Sequence, residues 1–69
     1  MIKKGVISNI VNGNYAEAVI PEENNVVTPA LPITTSIPVE TVKVGARCVV
    51  AFFDTDTVNL ADGVIIAIY

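Results

Sequence analysis

Short apolar runs rich in β-branched residues are separated by polar segments along the chain, and no window repeats apolar residues at helical spacing. The first two runs, KGVISNIV at 4–11 and YAEAVI at 15–20, flank Asn12-Gly13-Asn14. Asn-Gly between apolar runs is a strong hairpin signal, because both residues tolerate positive φ. The sequence therefore predicts two antiparallel strands joined by a tight turn.

The remaining runs predict further extended segments. Residues 26–28 suit a short strand, and the stretch 29–42 holds three of the four prolines, which favours an extended connector over a helix. Apolar residues within that connector indicate that it is packed rather than free. The runs at 46–53 and 64–69 predict the last two strands, the first of them central in the sheet.

Side-chain alternation assigns faces to these last two strands. With Arg47 facing solvent, the residues expected in the core are Cys48, Val50, Phe52, Val64, Ile66 and Ile68. The opposite faces are also apolar, which predicts that they are buried against another copy of the chain. The residues expected at this interface are Val49, Ala51, Phe53, Ile65, Ala67 and Tyr69.

Composition supports a folded domain that associates with itself. Hydrophobic residues make up 52% of the 69 residues and charged residues 16%, which excludes disorder of the whole chain. One Cys and no His provide neither an internal disulfide nor a zinc site, so burial against further copies is the expected source of stability. The pattern predicts a single all-β domain over 1–69, a small five-stranded antiparallel barrel that forms a homo-oligomer.

Charge and hydropathy argue against two classes of partner. A net charge of -3 repels phosphate, so we expect no nucleic acid. No apolar run approaches the ~18 residues of a membrane span, so we expect no membrane partner. Lys3 and Lys4 resemble the basic start of a secretory signal, but Asn9, Asn12 and Asn14 interrupt the apolar segment that would follow, so we expect no such signal.

Three acidic residues are candidate cation ligands. Asp54, Asp56 and Asp62 present carboxylates at a spacing that begins like a calcium loop. Such a loop needs a glycine at its sixth position and a bidentate glutamate at its twelfth, and this sequence has neither. An ordinary polar turn is therefore favoured, and we expect no metal site.

Candidate catalytic groups lack the partners that catalysis needs. Glu22 and Glu23, like Asp54 and Asp56, are neighbouring carboxylates in polar segments with no aromatic sugar platform beside them. Cys48 lies in an apolar strand, and the sequence contains no His to act as its base. The sequence predicts no enzyme activity, no catalytic residue and no cofactor.

Four segments follow one another in an informative order: KGVISNIVNGNYAEAVIPE, NVVTPALPI, VKVGARCVVAFFDTD and ADGVIIAIY. This order resembles the small OB-like barrel of bacteriophage tail baseplate and spike proteins, of the baseplate assembly protein V type. That family has an opening G-x-V strand, an Arg- or Ala-Val-type second strand, a v-s-x-x-l-P segment, a v-G-x-x-V-x-v-x-F-x-D-x-D strand and turn, and a closing G-v-I-x-G-x-i. The matching positions are Gly5, Val6, Ala16, Ala18, Val27, Leu31, Pro32, Val44, Gly45, Val50, Phe52, Asp54, Gly63 and Val64.

The resemblance implies a structural protein of a phage or prophage tail or baseplate. It further implies that the protein is located in the virion tail, is assembled in the bacterial host cytoplasm, contacts other tail proteins and forms a trimer or larger ring. Ala67 replaces the second glycine of the closing segment, and no spike sequence follows Tyr69. We therefore expect a barrel that adapts, plugs or seals part of a tail rather than a membrane-piercing spike.

Two alternatives belong to other functional classes. One is a small OB-type binding module for a protein partner, a carbohydrate or single-stranded nucleic acid, since such barrels bind through aromatic residues on a strand face. The aromatic candidates are Tyr15, Phe52, Phe53 and Tyr69. Few cations accompany them, which weakens the nucleic-acid version. The other alternative is a non-catalytic subunit of a larger enzyme.

Overall fold

The computed structural model describes residues 1–53 and 59–69, whose regular structure is almost entirely β-strand. The strands are β1 (Ile2–Asn12), β2 (Tyr15–Ile20), β3 (Val26–Val27), β4 (Leu31–Pro32), β5 (Arg47–Phe52) and β6 (Gly63–Ile68). Within these ranges the helical segments are two single 3₁₀ turns, Pro21–Glu23 and Val39–Thr41. The prediction of an all-β chain is confirmed. No helix in the described part of the chain has the length and apolarity that a membrane crossing requires.

All six strands belong to one antiparallel sheet, in the order β3-β2-β1-β5-β6 with β4 also paired to β2. A parallel bridge between Ile33 and Ile65 links the far side of β6 to the segment after β4. There the Thr34 amide donates to the Ile65 carbonyl at 3.0 Å. A cleft of about 330 Å³ lies between residues of β6 and of the connector. In the described residues no continuous ladder of hydrogen bonds joins the two ends of the sheet. The five-stranded barrel expected from the sequence is therefore not confirmed.

β1 and β2 form the predicted hairpin, although its turn differs from the expected type. Asn12 pairs with Tyr15, which leaves Gly13 and Asn14 as the turn residues. Asn-Gly was expected at the turn because both residues tolerate a positive φ, but φ is positive at neither Asn12 nor Gly13. The Asn12 side-chain oxygen instead accepts the amide hydrogens of Asn14 and Tyr15, at 2.8 and 3.1 Å. A side chain bonded to the turn backbone thus closes the hairpin without left-handed residues.

The core lies on the inner surface of the curved sheet. Within β5 the predicted inner residues are confirmed, since Cys48, Val50 and Phe52 are each at most 2% exposed. The other buried apolar residues are Ile7, Ala16, Ala18, Ile20, Leu31, Val42 and Ile65. Two of these, Leu31 and Val42, come from the proline-rich stretch 29–42, so that stretch contributes to the core.

β6 departs from plain alternation because it contains a β-bulge. Val50 pairs with Ile65 and Val49 pairs with Ala67, which leaves Ile66 as the extra residue. The bulge shifts the alternation, so Ile65 is fully buried in the core while Ile66 is 38% exposed. The prediction that placed Ile65 on the interface face and Ile66 on the inner face is wrong for this reason.

The residues on either side of the bulge also follow the shifted alternation. Val64 pairs with Ala51, a residue of the solvent-facing side of β5, so its predicted inner placement is wrong. Ile68 pairs with Cys48 and packs against the core, as predicted.

Thr28 is a buried polar residue at the end of β3, only 2% exposed. Its hydroxyl accepts the Ala18 amide hydrogen at 3.1 Å and donates to the Pro29 carbonyl at 2.9 Å. Its own amide donates to the Ala18 carbonyl at 2.8 Å. These bonds hold the chain against β2 at the point where Pro29, which has no amide hydrogen, cannot extend the ladder.

Candidate functional site

The candidate site is the solvent-facing side of β1, β5 and β6, called the outer face from here on. Alternation sends every second side chain of β1 and β5 to this side, and antiparallel pairing aligns them in four rows. The rows are Val6, Arg47 and Tyr69; Lys4, Val49 and Ala67; Ile2, Ala51 and Val64; and Phe53 and Asp62. All of these residues except Lys4, Arg47 and Asp62 are apolar or aromatic, so the outer face is a largely apolar surface.

Large exposed side chains lie toward the borders of the outer face, and small ones occupy its middle. Phe53 is 65% exposed, Ile2 60% and Tyr69 52%. The middle positions, Val49 and Ala51 on β5, are half-buried. Small central residues permit another surface to approach the sheet closely, while the exposed aromatic rings offer apolar area to cover.

Charge is distributed unevenly along the outer face. Lys4 and Arg47 lie in its first two rows, whereas Asp62 lies in the fourth, beside Phe53. The first and fourth rows are about 20 Å apart along β5, at ~3.3 Å per residue. The Arg47 guanidinium carbon is 5.1 Å from the centre of the Tyr69 ring, a cation–π distance. The end that carries Lys4 and Arg47 is called the positive end from here on. At the other end the Met1 ammonium donates to the Phe52 carbonyl at 2.7 Å, next to the Phe53 amide that donates to Asp62, so that end carries charges of both signs.

A cleft of about 480 Å³ opens at the positive end of the outer face. Its lining residues are Lys4, Gly5, Val6, Pro21, Glu22, Arg47 and Tyr69. Glu22 accepts the Lys4 amide hydrogen at 3.2 Å. The Lys3 ammonium lies 3.9 Å from a Glu22 oxygen and 3.6 Å from a Glu23 oxygen. Lys3 is thus within ion-pair distance of both glutamates.

The structure brings most of the predicted interface residues together. Those on the outer face are Val49, Ala51, Phe53, Ala67 and Tyr69, whereas Ile65 is in the core. Sequence reasoning missed Ile2, Val6 and Val64, which belong to the same rows. The alternation of Ile2, Lys4 and Val6 is visible in the sequence, but no sequence signal indicates the bulge that moves Val64 outward.

The aromatic residues considered as a stacking surface are divided among three places. Phe52 is in the core and 2% exposed, and Tyr15 lies beside the hairpin turn on β2. Phe53 and Tyr69 share the outer face but occupy its opposite ends. The structure therefore does not assemble the four rings into one stacking platform.

Reactive and metal-ligating groups contribute little to this surface. Burial raises the pKa of the Cys48 thiol to about 11, so the thiol is protonated near neutral pH. In the described ranges no group of three or more His, Cys, Asp and Glu side chains could hold a metal ion. Of the candidate cation ligands, Asp62 is on the outer face, and Asp54 and Asp56 lie outside the described residues.

Comparison of this chain with protein-family models, with curated proteins and with solved structures gives no match.

Proposed function

We propose that this chain is a non-catalytic structural protein of a phage or prophage tail or baseplate, whose copies associate through the outer face. The exposed apolar rows of β1, β5 and β6 carry the self-association. The order of the four sequence segments, through its resemblance to the baseplate assembly protein V type, carries the tail role. A trimer or larger ring and contacts with other tail proteins remain predictions of that resemblance.

The physical argument for self-association is the small size of the core compared with the apolar surface outside it. A chain of about 70 residues buries roughly 60% of its surface on folding, which leaves little margin of stability. Ile2, Phe53 and Tyr69 remain more than half exposed on one continuous surface. Contiguous apolar surface on a small soluble domain typically marks an interaction site. Covering it with another copy adds apolar burial that the single chain lacks.

We further propose that the sheet closes into an OB-like barrel. The observed pairings connect β4 to β2, β2 to β1, β1 to β5 and β5 to β6. Pairing of β4 with β6 would therefore close a barrel of five strands. The Ile33–Ile65 bridge supports that pairing. Amide hydrogen exchange tests it: we expect the Thr34 amide to exchange as slowly as amides inside the β1–β5 ladder. Exchange at the rate of a free loop would show an open sheet.

Sedimentation velocity tests the self-association. We expect a species larger than a monomer at micromolar concentration, and we expect Ala51→Arg, in the middle of the outer face, to dissociate it. Val44→Arg is the matched control, because Val44 is 66% exposed but is not part of the outer face. A wild-type monomer at high micromolar concentration, or equal effects of the two arginines, would contradict the proposal.

The tail role has its own test. Two findings would support it: tail and baseplate genes on both sides of the coding sequence, and the presence of the chain in phage tails purified after induction of a bacterium that carries the prophage. Flanking metabolic genes, or tails that lack the chain, would contradict the tail role and leave the self-association unaffected.

A small binding module is the second candidate, favoured by the cleft at the positive end of the outer face. Arg47 lies over the Tyr69 ring there, so a cation and an aromatic ring both line the cleft, and both kinds of group occur in binding sites for sugars and nucleotides. NMR titration with oligosaccharides and with short single-stranded DNA tests this candidate. Saturable shifts at Gly5, Val6 and Tyr69 would support it, and their absence would eliminate it.

A further inference from the structure

The turn between β1 and β2 contains an Asn-Gly pair whose side-chain chemistry the proposed function does not use. Among the six asparagines of the chain, Asn12 alone precedes a glycine. The carbonyl carbon of an asparagine side chain is an electrophile, and the backbone nitrogen of the next residue can attack it to form a cyclic imide. Glycine hinders this attack least, because it has no Cβ atom. Asn12 is therefore the asparagine of this chain whose neighbour hinders ring closure least.

Two hydrogen-bond donors are directed at the oxygen of this electrophile. The Asn14 and Tyr15 amides donate to Asn12 Oδ1 at 2.8 and 3.1 Å. Attack at the carbonyl carbon transfers negative charge to this oxygen, and amide donors already directed at it stabilise that charge. The hydrogen bonds that close the hairpin therefore surround the Asn12 side-chain carbonyl in the manner of an oxyanion hole.

The attacking nitrogen is accessible to solvent. The Gly13 amide hydrogen has no acceptor among residues 1–53 and 59–69, and both Asn12 and Gly13 are exposed. Hydroxide or another solvent base can therefore remove the proton that this nitrogen must lose. No ladder hydrogen bond of Gly13 within the described residues has to break first.

The position of Asn12 in the ladder limits the cost of rearranging the turn. Asn12 forms the last β1–β2 pair, with Tyr15, and a register shift separates this pair from the one between Ile10 and Ala16. Terminal pairs open at the lowest free energy in a folded protein. The Asn12–Gly13 backbone can therefore adopt the geometry of the cyclic imide while the rest of the ladder stays paired.

We propose that Asn12 is a deamidation site of the folded protein. The Gly13 nitrogen loses its proton to a solvent base and forms a bond to Asn12 Cγ, and the Cγ–Nδ2 bond breaks with release of ammonia. Water then opens the cyclic imide at either of its carbonyls, which gives aspartate or isoaspartate at this position. Water is the co-reactant, and nothing is oxidised or reduced. The inference is independent of the proposed function.

The two products differ in their effect on the hairpin. Aspartate retains a side-chain oxygen that accepts the Asn14 and Tyr15 amide hydrogens. Isoaspartate carries the backbone through Cβ and Cγ, which adds a methylene group to the chain beside the Asn12–Tyr15 pair and disturbs its register. Either product makes the net charge of -3 more negative by one. Deamidation would therefore alter both the charge and the geometry of the hairpin.

Peptide mapping by mass spectrometry tests the site after the folded protein is incubated at mildly alkaline pH in water labelled with heavy oxygen. We expect the label to enter at Asn12 before any other asparagine. Gly13→Ala should slow its entry by about tenfold or more, because the new Cβ hinders the attacking nitrogen. This variant should fold, since φ at Gly13 is not positive and an added Cβ meets its nearest atom at 3.4 Å.

Asn59 is a matched control within the same chain. Its Oδ1 also accepts a backbone amide hydrogen, from Ala61 at 3.1 Å, but Leu60 follows it in the sequence. Label entry at Asn59 should therefore be slow although its side-chain carbonyl has a donor. Entry at Asn59 as fast as at Asn12 would overturn the inference, as would equal rates for wild type and Gly13→Ala.

The unfolded chain provides the test of the hairpin's contribution. In guanidinium chloride Asn12 Oδ1 loses its two fixed donors, so we expect label to enter the folded protein at least as fast as the unfolded chain. Circular dichroism of the incubated samples verifies that the native arm remains folded. A native rate below the rate in denaturant would show that the hairpin protects Asn12, and would overturn the inference while leaving the proposed self-association standing.

Discussion

Gly63 lies directly opposite Phe52 in the β5–β6 ladder, and a Cβ atom at Gly63 would be 2.7 Å from Cδ1 of the Phe52 ring. The same atom would be 3.1 Å from the Ala51 carbonyl oxygen. The largest fully buried side chain of the described core is therefore accommodated by the absence of a side chain on the neighbouring strand.

Gly63→Ala should destabilise the fold by about 1–3 kcal/mol, because the Phe52 ring is enclosed and cannot move aside without strain. Urea unfolding measures the change. Gly13→Ala is the control, since a Cβ there meets its nearest atom, a Val39 methyl, at an ordinary 3.4 Å. Equal losses for the two substitutions would mean that the close approach to Phe52 is unimportant.

Phe52 and Phe53 should respond differently to truncation although they are adjacent. Phe52→Ala removes a ring that is 2% exposed and should cost about 3–5 kcal/mol of folding stability, most of what so small a domain has. Phe53→Ala removes a ring that is 65% exposed and should leave monomer stability nearly unchanged while weakening self-association. Denaturant unfolding in the dilute monomer and sedimentation at high concentration measure the two effects separately. The opposite ranking in unfolding would reverse the assignment of the two faces.

Thr28→Val should cost about 1–3 kcal/mol, because it keeps the size of the side chain but leaves the buried Ala18 amide without an acceptor. Thr28→Ser retains the hydroxyl and should cost less. The free energy of unfolding of the two variants, measured side by side, gives the comparison. A valine variant as stable as the serine variant would show that the hydroxyl bonds contribute nothing.

Stability should fall at alkaline pH partly through Cys48. Burial raises the pKa of its thiol from 9.0 to about 11, so unfolding releases a proton between these pH values. The stabilising contribution is complete below about pH 9 and is lost as the pH rises toward 11. Wild type should therefore lose more unfolding free energy than Cys48→Ala between about pH 8 and about pH 10.5. Parallel pH profiles would contradict the assigned burial.

Calcium should not stabilise the protein. Replacing Asp54 and Asp56 by Asn retains turn-forming side chains and removes two carboxylates, so the midpoint of thermal unfolding should change little with or without calcium. A calcium-dependent rise in the wild-type midpoint that the Asn pair abolishes would establish the cation site that the sequence disfavours.

Much of the fold was predictable because period-two alternation is a local property. The inner residues of β5, the hairpin between β1 and β2 and the lack of α-helix in 1–53 and 59–69 all follow from residues within a few positions of each other. The outer face was predictable in part for the same reason, since Val49, Ala51 and Phe53 alternate with the core residues of β5.

Tertiary structure alone decided the features that depend on distant pairing. The bulge at Ile66 places Ile65 in the core and Val64 on the outer face, and it is visible only in the pairing of β6 with β5. The burial of Thr28 depends on Ala18, and the make-up of the outer face depends on bringing Ile2, Ala51 and Val64 from three strands onto one surface. The sequence by itself determined most of the strand segments, but not β4, which lies in the stretch predicted as a connector. It also indicated that the apolar residues exceed what one small core can bury. Which apolar residues stay on the surface depends on how strands far apart in sequence pair. A shift of one residue in that pairing moves every later side chain of the strand to the opposite face.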